Sequence, residues 1–123
     1  MKINGKEYGL EFNVQAHEEV AKLCPGQDIA RMEELYNHGS NRSLQADIAI
    51  AIALNRGYED HRHFEDPDYV QDYLTEEDFR FLPFYMITEV EKEITRVMAE
   101  GSGQTVEAEP VKSSTKNGKG AKE

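Results

Sequence analysis

The fold class of this chain depends on one stretch, Leu44-Gln-Ala-Asp-Ile-Ala-Ile-Ala-Ile-Ala-Leu-Asn-Arg56. From Ile48 to Leu54 the larger residues alternate with Ala, which has the period of a strand. Ala, however, is the strongest helix former and is depleted in strands. We therefore predict a buried central helix over Leu44 to Arg56, with Ser43 at its start and Gly57 at the C′ position.

The N-terminal residues predict a small hairpin. Asn4-Gly5 is the dipeptide that best fits the two central positions of a type I′ turn, and the strand before it is short. After the turn, apolar residues alternate with polar ones as in a half-buried strand: Tyr8, Leu10 and Phe12. Such a hairpin is marginal alone and must pack against other elements.

Two helices are expected between the hairpin and the central helix. Asn13 is placed as the N-cap of a helix over Val14 to Leu23, and Pro25-Gly26 ends it. Asp28 is placed to cap a second helix, which stops near Gly39. The sequence thus favours a small helical bundle.

The residues after the central helix predict a loop and a short helix. Tyr58 to Asp66 is polar and charged, which is typical of a loop. Asp66-Pro67 has the pattern of an N-cap followed by Pro at the first helical position, and we expect that helix to run through Leu74.

The last helix has clear start and break signals. Thr75 and Asp78 form a capping-box pattern, and Pro83 is expected to kink or break the helix that follows. Gly101 is expected to close it. Beyond Pro83, apolar residues recur at helical spacing: Ile87, Val90, Ile94 and Val97.

Composition bounds the function classes. The 123 residues include 14 Lys and Arg against 24 Asp and Glu, a net charge of −10, which argues against nucleic-acid binding. One Cys permits no intramolecular disulfide, and no apolar run is long enough for a membrane span or a signal peptide. We expect residues 1–100 to fold as one domain and residues 101–123, rich in Gly, Ser and Lys, to form a disordered tail.

The negative charge is concentrated in one window. Residues 59–78 hold nine acids and one base, Arg62. Such a window is most often a solvated face, and it is also what attracts a basic partner.

Few residues form patterns that could carry catalysis. His61 and His63 followed by Glu65 and Asp66 have metal-like spacing, but no remote cluster completes a zinc site, and a solvated loop is the better explanation. Cys24 with His17 or His38 lacks the orienting group of a nucleophilic pair. Phosphate-binding and nucleophile motifs are missing from the sequence. We predict that the chain is not an enzyme and uses no cofactor.

An aromatic cluster surrounds Pro83 and offers a candidate binding surface. Most of its side chains are expected in the core, yet a domain of about 100 residues has difficulty burying all of them. The remainder would form an apolar docking surface next to the acidic window. The candidate partner-binding residues are Phe79, Phe81, Phe84, Tyr85 and Met86.

The order of these parts resembles a known family. A hairpin with the sequence Ile3-Asn-Gly-Lys-Glu-Tyr-Gly-Leu-Glu-Phe12 leads into helices, then come Asp66-Pro-Asp-Tyr69 and Leu74-Thr-Glu-Glu-Asp78, and a Lys- and Gly-rich tail ends the chain. Over residues 1–100 this arrangement resembles the tail assembly chaperones of long-tailed bacteriophages and prophages, particularly those of Gram-positive hosts.

The resemblance implies a non-enzymatic protein that binds and solubilises the tape measure protein and helps recruit tail tube subunits. It also implies self-association, location in the host bacterial cytoplasm, and absence from the mature virion. Many members exist in a second, longer form made by ribosomal frameshifting, and the tail Gly118-Lys119-Gly120-Ala121-Lys122 is compatible with such a site.

Two alternatives remain open. One is an acidic binding protein, such as a DNA mimic or small regulator that acts on a basic protein partner, which requires the acids to share one continuous face. The other is a metal-dependent enzyme, which rests on His61 and His63 alone.

Overall fold

The computed structural model describes residues 1–36 and 40–104, and its fold is mainly helical with an N-terminal hairpin, as predicted. The hairpin consists of β1 (Lys2–Ile3) and β2 (Lys6–Glu7). The α-helices of the described residues are α1 (Val14–Leu23), α2 (Ser40–Glu65), α3 (Glu76–Phe79) and α4 (Ile87–Gly101). Three segments form 3₁₀ helices: Pro25–Gln27, Ile29–Tyr36 and Phe84–Met86.

The hairpin has the predicted turn but a shorter second strand. Asn4 and Gly5 have φ angles of 53° and 83°, as a type I′ turn requires, and Lys2 pairs with Glu7. The prediction that the strand continues to Phe12 is wrong, because β2 ends at Glu7. The next residues pack along α2 instead, where the Glu11 N–H donates to the Leu54 carbonyl at 3.0 Å.

The predicted helix α1 is confirmed with its cap. The Asn13 side chain accepts a hydrogen bond from the Ala16 N–H at 3.0 Å, and the helix ends at Leu23 before Cys24-Pro25. The second helix forms as a 3₁₀ helix, and the Asp28 carboxylate accepts from the Ala30 N–H. Its predicted stop near Gly39 lies outside the described residues.

The central helix is confirmed, but both predicted boundaries are wrong: α2 begins at Ser40 rather than near Ser43, and it continues past Arg56. Gly57 lies inside α2 rather than at C′, and the residues up to Glu65, expected as a loop, are helical. A Cβ at Gly57 would lie 2.8 Å from Asn13 Oδ1 and 3.1 Å from the Ala16 Cβ. Glycine is therefore needed here for close packing against the start of α1.

The predicted helix from Asp66-Pro67 to Leu74 does not form. Residues 66–69 make a turn, and the chain then has no regular secondary structure up to Thr75. Two buried α2 side chains accept hydrogen bonds from this segment: Asn55 from the Leu74 N–H at 2.7 Å, and Glu59 from the Asp72 N–H at 2.9 Å. These bonds satisfy backbone groups that a helix would otherwise pair.

The Thr75–Asp78 capping box is confirmed, and so is the break at Pro83. The Asp78 carboxylate accepts from the Thr75 N–H at 2.8 Å. α3 ends at Phe79, and Pro83 has an extended ψ of 135°. α4 then ends at Gly101, as expected.

The core forms where α2 packs against α1 and α4. Ile50 and Leu54 of α2 are fully buried, and Tyr8 covers one edge of this core. The predicted stripe of α4 contributes Val90, Ile94 and Val97. Within residues 1–36 and 40–104, no helix is both long and apolar enough to cross a bilayer. Of the predicted disordered tail 101–123, residues 105–123 lie outside the described residues.

Candidate functional site

The five candidate partner-binding residues occupy three different environments. Phe79 is only 6% exposed and belongs to the core, so it contributes nothing to a surface. Met86 is half-buried and lines a cavity beside the hairpin. Phe81, Phe84 and Tyr85 are 82%, 68% and 76% exposed. Large apolar side chains this exposed are candidates for partner contact.

Pro83 places Phe84 and Tyr85, which we call the aromatic pair, at the start of α4. The extended conformation of Pro83 ends the preceding turn, so the chain enters α4 in a new direction. The aromatic pair lines a cavity of ≈340 Å³ together with Leu44 and Ile87. This cavity separates the N-terminal part of α2 from α4.

A second cavity continues along the same side of α4. It has a volume of ≈380 Å³ and is lined by Met32, Tyr36 and Met98, among others. Asp47 and Glu91 line both cavities and therefore lie where the two meet. We call the two cavities together the α4 groove. Between Ile87 and Met98 it follows about 16 Å of α4, since a helix rises about 1.5 Å per residue.

Asp47 is the most unusual polar group of this groove. The residue is 1% exposed, and its Oδ1 accepts a hydrogen bond from the Tyr36 hydroxyl at 2.9 Å. Its Oδ2 receives no hydrogen bond from an N–H or hydroxyl group in the described part of the chain, and the Glu91 carboxyl group lies close enough to hydrogen-bond with Asp47 when one of the two is protonated. Burial, together with the nearby carboxylate of Glu91, raises the pKa of Asp47 to about 7. Burial and the Asp47 carboxylate also raise the pKa of Tyr36.

Many acids of the window 59–78 are engaged inside the fold. Glu59 accepts from the Tyr69 hydroxyl at 2.7 Å, Asp72 pairs with Lys6, and Asp78 caps α3. Burial disfavours the charged form of Asp60, yet hydrogen bonds from Tyr73, Gln15 and Gln71 lower its pKa overall. These acids hold the segment after α2 in place, so their clustering has a structural role.

The two histidines of the metal hypothesis have separate partners. His61 Nδ1 lies 2.9 Å from the Glu11 carboxylate, which is the main cause that raises the pKa of His61. His63 Nδ1 lies 2.8 Å from the Tyr69 carbonyl oxygen. Among the residues that the structure describes, no three His, Cys, Asp or Glu side chains are grouped as a metal site would require.

Cys24 lies in the environment expected of a structural thiol. Its side chain is buried, its sulfur lies 3.4 Å from the Val20 carbonyl oxygen, and burial raises its pKa. The His17 ring packs against the Phe12 ring, with 5.8 Å between the ring centroids. His38 lies outside the described residues. A raised pKa lowers the thiolate fraction, which opposes nucleophilic chemistry.

A second exposed apolar surface was not predicted. Phe64 and Val14 line an open cavity at the other end of α2, and Phe64 is 83% exposed. Phe64 falls within Tyr58 to Asp66, which was predicted as a polar, aromatic and charged loop, and that prediction did not distinguish it as a surface residue. Leu44 and Phe64 are 20 positions apart on one helix, so about 30 Å separates this surface from the aromatic pair.

Asp47 was also missed, although the sequence carries a signal for it. Asp47 stands directly before the Ile-Ala run of α2, where a polar residue is next to positions expected in the core, and it is buried together with Asn55 and Glu59 of the same helix. Asn55 and Glu59 are satisfied by hydrogen bonds from the chain that packs on them, whereas Asp47 is only half satisfied. Comparisons of the chain with protein-family models, with curated proteins and with solved structures give no match.

Proposed function

We propose that this protein is an assembly chaperone that binds a long, apolar and helical partner and keeps it soluble until assembly. The observation that carries the proposal is the aromatic pair, which is largely exposed at the end of an apolar groove. Exposed aromatic side chains beside a groove are typical of surfaces that bind the apolar face of an amphipathic helix.

The dimensions of the α4 groove support a helical partner. Its length of about 16 Å corresponds to about three turns of an α-helix, because one turn rises about 5.4 Å. Methionines line its far end at Met32 and Met98. Flexible methionine side chains adapt to different apolar partners, which suits a chaperone that binds many segments of one long chain.

The resemblance to phage tail assembly chaperones gives the partner its identity in this proposal. The tape measure protein is the apolar helical partner, and tail tube subunits displace the chaperone as they polymerise. The protein would act in the host bacterial cytoplasm, self-associate, and be absent from the mature virion. Its net charge of −10 would keep the complex with an apolar partner soluble.

Co-expression with the tape measure protein of the same genome tests this function. We expect the tape measure protein to be soluble with the wild-type chain and to precipitate with the double variant Phe84→Ser/Tyr85→Ser. Phe64→Ser is the matched control, because it removes an equally exposed aromatic side chain about 30 Å away. The measurement is the soluble fraction of the tape measure protein.

Two results would count against the proposal. If the tape measure protein is equally insoluble with and without the wild-type chain, the proposed chaperone function is wrong. If the tape measure protein stays soluble with the Phe84→Ser/Tyr85→Ser variant, the aromatic pair is not part of the binding surface. Circular dichroism of both variants is the folding control, and we expect unchanged helical spectra because all three side chains are exposed.

A further inference from the structure

We propose that the α4 groove selects a partner helix with a basic residue in its apolar face and seats that lysine or arginine between Asp47 and Glu91. This inference rests on the proposed function, since it concerns the partner that the groove binds. It adds a chemical rule for which segments of that partner are bound.

The unpartnered oxygen of Asp47 is the first observation. Asp47 is 1% exposed and lines both cavities of the groove, and within residues 1–36 and 40–104 its Oδ2 receives no hydrogen bond from an N–H or hydroxyl group. Buried carboxylate oxygens are nearly always hydrogen-bonded, so an oxygen without an N–H or hydroxyl donor, on a residue that lines a groove, marks a place for a donor. A lysine or arginine supplies both a donor and a compensating charge.

Charge complementarity is the second observation. Glu91 is exposed and faces the same part of the groove as Asp47, so two carboxylates meet there. The basic residues of α4 pair with other acids: Lys92 with Glu89, and Arg96 with Glu93 and Glu100. Among the side chains that the structure describes, no Lys or Arg forms an ion pair with Asp47 or Glu91, so a lysine or arginine of a bound partner would complement both carboxylates.

The surroundings of this pair define the rest of the partner. The aromatic pair lies on one side of Asp47 and Glu91, and the methionines Met32 and Met98 line the other side. A helix in the groove would place apolar residues against both sides and its basic residue between them. The basic side chain would lay its apolar stem on the groove and direct its charged end to the carboxylates.

Two synthetic peptides test this rule. One is an 18-residue amphipathic helix with leucines at three- and four-residue spacing and a single lysine in the centre of its apolar face. The other has norleucine, an uncharged residue of similar length, in place of the lysine. We measure the dissociation constants for the full-length chain by isothermal titration calorimetry.

We expect the wild-type chain to bind the lysine peptide about 10-fold more tightly than the norleucine peptide. This preference should disappear in Asp47→Asn and in Glu91→Gln, while the norleucine peptide keeps its affinity. Asp47→Asn retains the oxygen that accepts from Tyr36, so the fold is preserved. Phe64→Ser, outside the groove, should leave both affinities and the preference unchanged.

Three results would overturn the rule. They are equal affinity of the wild-type chain for the two peptides, no binding of either peptide, and a preference that survives in both groove variants. None of these results affects the co-expression test, in which the soluble fraction depends on the aromatic pair. If the tape measure protein is kept soluble but the peptides show no lysine preference, the proposed function stands and only this inference is wrong.

Two other occupants of the groove are distinguishable, one by the same peptide titration and the other by sedimentation. If lysines of residues 105–123 occupy it, changing Lys112, Lys116, Lys119 and Lys122 to Gln in the full chain would tighten binding of the lysine peptide. If a second copy occupies it, Asp47→Asn would abolish self-association in sedimentation experiments. Either result would replace the partner helix as the occupant and overturn the proposal.

Discussion

A carboxylate buried in an apolar helix costs stability unless it is fully paired, and Asp47 is paired at only one of its oxygens in the described part of the chain. Burial and Glu91 raise the pKa of this group from 3.8 to about 7. Between about pH 4 and pH 7, Asp47 is therefore protonated in the folded state and deprotonated in the unfolded state. Stability from this group is present below pH 4 and is lost as the pH rises through 7.

Asp47→Asn should therefore stabilise the protein at pH 8 and leave it little changed at pH 4. The shift from 3.8 to about 7 sets an upper limit of about 4 kcal/mol on the gain. Urea unfolding of wild type and variant between pH 4 and pH 8 measures it. Asp60→Asn is the control, because hydrogen bonds lower the pKa of Asp60 and its loss should destabilise the protein at pH 8. A wild-type chain no less stable than Asp47→Asn at pH 8 would contradict this account.

At the scale of elements, one side chain of α2 joins two segments that lack regular structure. The Asn55 side chain donates to the Gly9 carbonyl at 2.9 Å and accepts from the Leu74 N–H at 2.7 Å. Asn55 is fully buried and its bond to the Leu74 N–H is buried as well, so this N–H is left without a partner if the side chain is removed. The residue therefore links the chain after the hairpin to the segment before α3.

Asn55→Ala should destabilise the protein by about 2–4 kcal/mol, because the buried Leu74 N–H and the part-buried Gly9 carbonyl lose their partner at once. We also expect the Leu74 amide to exchange faster with solvent, relative to the amides of α1. Urea unfolding and hydrogen exchange measure the two effects. Gln15→Ala removes an exposed side-chain bond to Asp60 and should change stability by less than about 0.5 kcal/mol. Unchanged protection of Leu74 in Asn55→Ala would show that the link is not needed.

The elements that the sequence predicted correctly are those with local causes. The Asn4-Gly5 turn, the Asn13 cap and the Thr75–Asp78 capping box each form from residues within a few positions of one another. The wrong predictions have distant causes. Gly57 carries a stop signal, but the start of α1 packs too closely to allow any other residue.

The segment after α2 follows the same rule. Asp66-Pro67 has the local pattern of a helix start, yet Asn55 and Glu59 hold the chain in place by accepting its backbone hydrogen bonds. The residues of the candidate site also divide into those with local causes and those with distant causes. The exposure of the aromatic pair follows from a surplus of apolar residues near Pro83, whereas the environment of Asp47 depends on α4, which lies 40 positions later in the chain.

At the scale of the whole molecule, the two binding hypotheses assign different roles to the net charge of −10. An acidic protein that mimics a polyanion needs free acids on one face, and several acids of the window 59–78 are instead engaged with Lys6, Tyr69, Tyr73 and the cap of α3. The apolar groove offers a binding mode that does not depend on long-range attraction. The two modes differ in their response to salt.

Binding of the tape measure protein should therefore depend little on ionic strength. We expect its affinity to change by less than about threefold between ~50 and ~200 mM salt, because apolar contacts dominate and enclosed charges such as Asp47 are weakly screened. Fluorescence anisotropy with a labelled tape measure segment measures it, and a lysine-rich peptide without apolar residues is the control. A tenfold or larger loss for the tape measure segment, parallel to that of the control, would mean that the acidic surface carries the binding and would favour a basic protein as the partner.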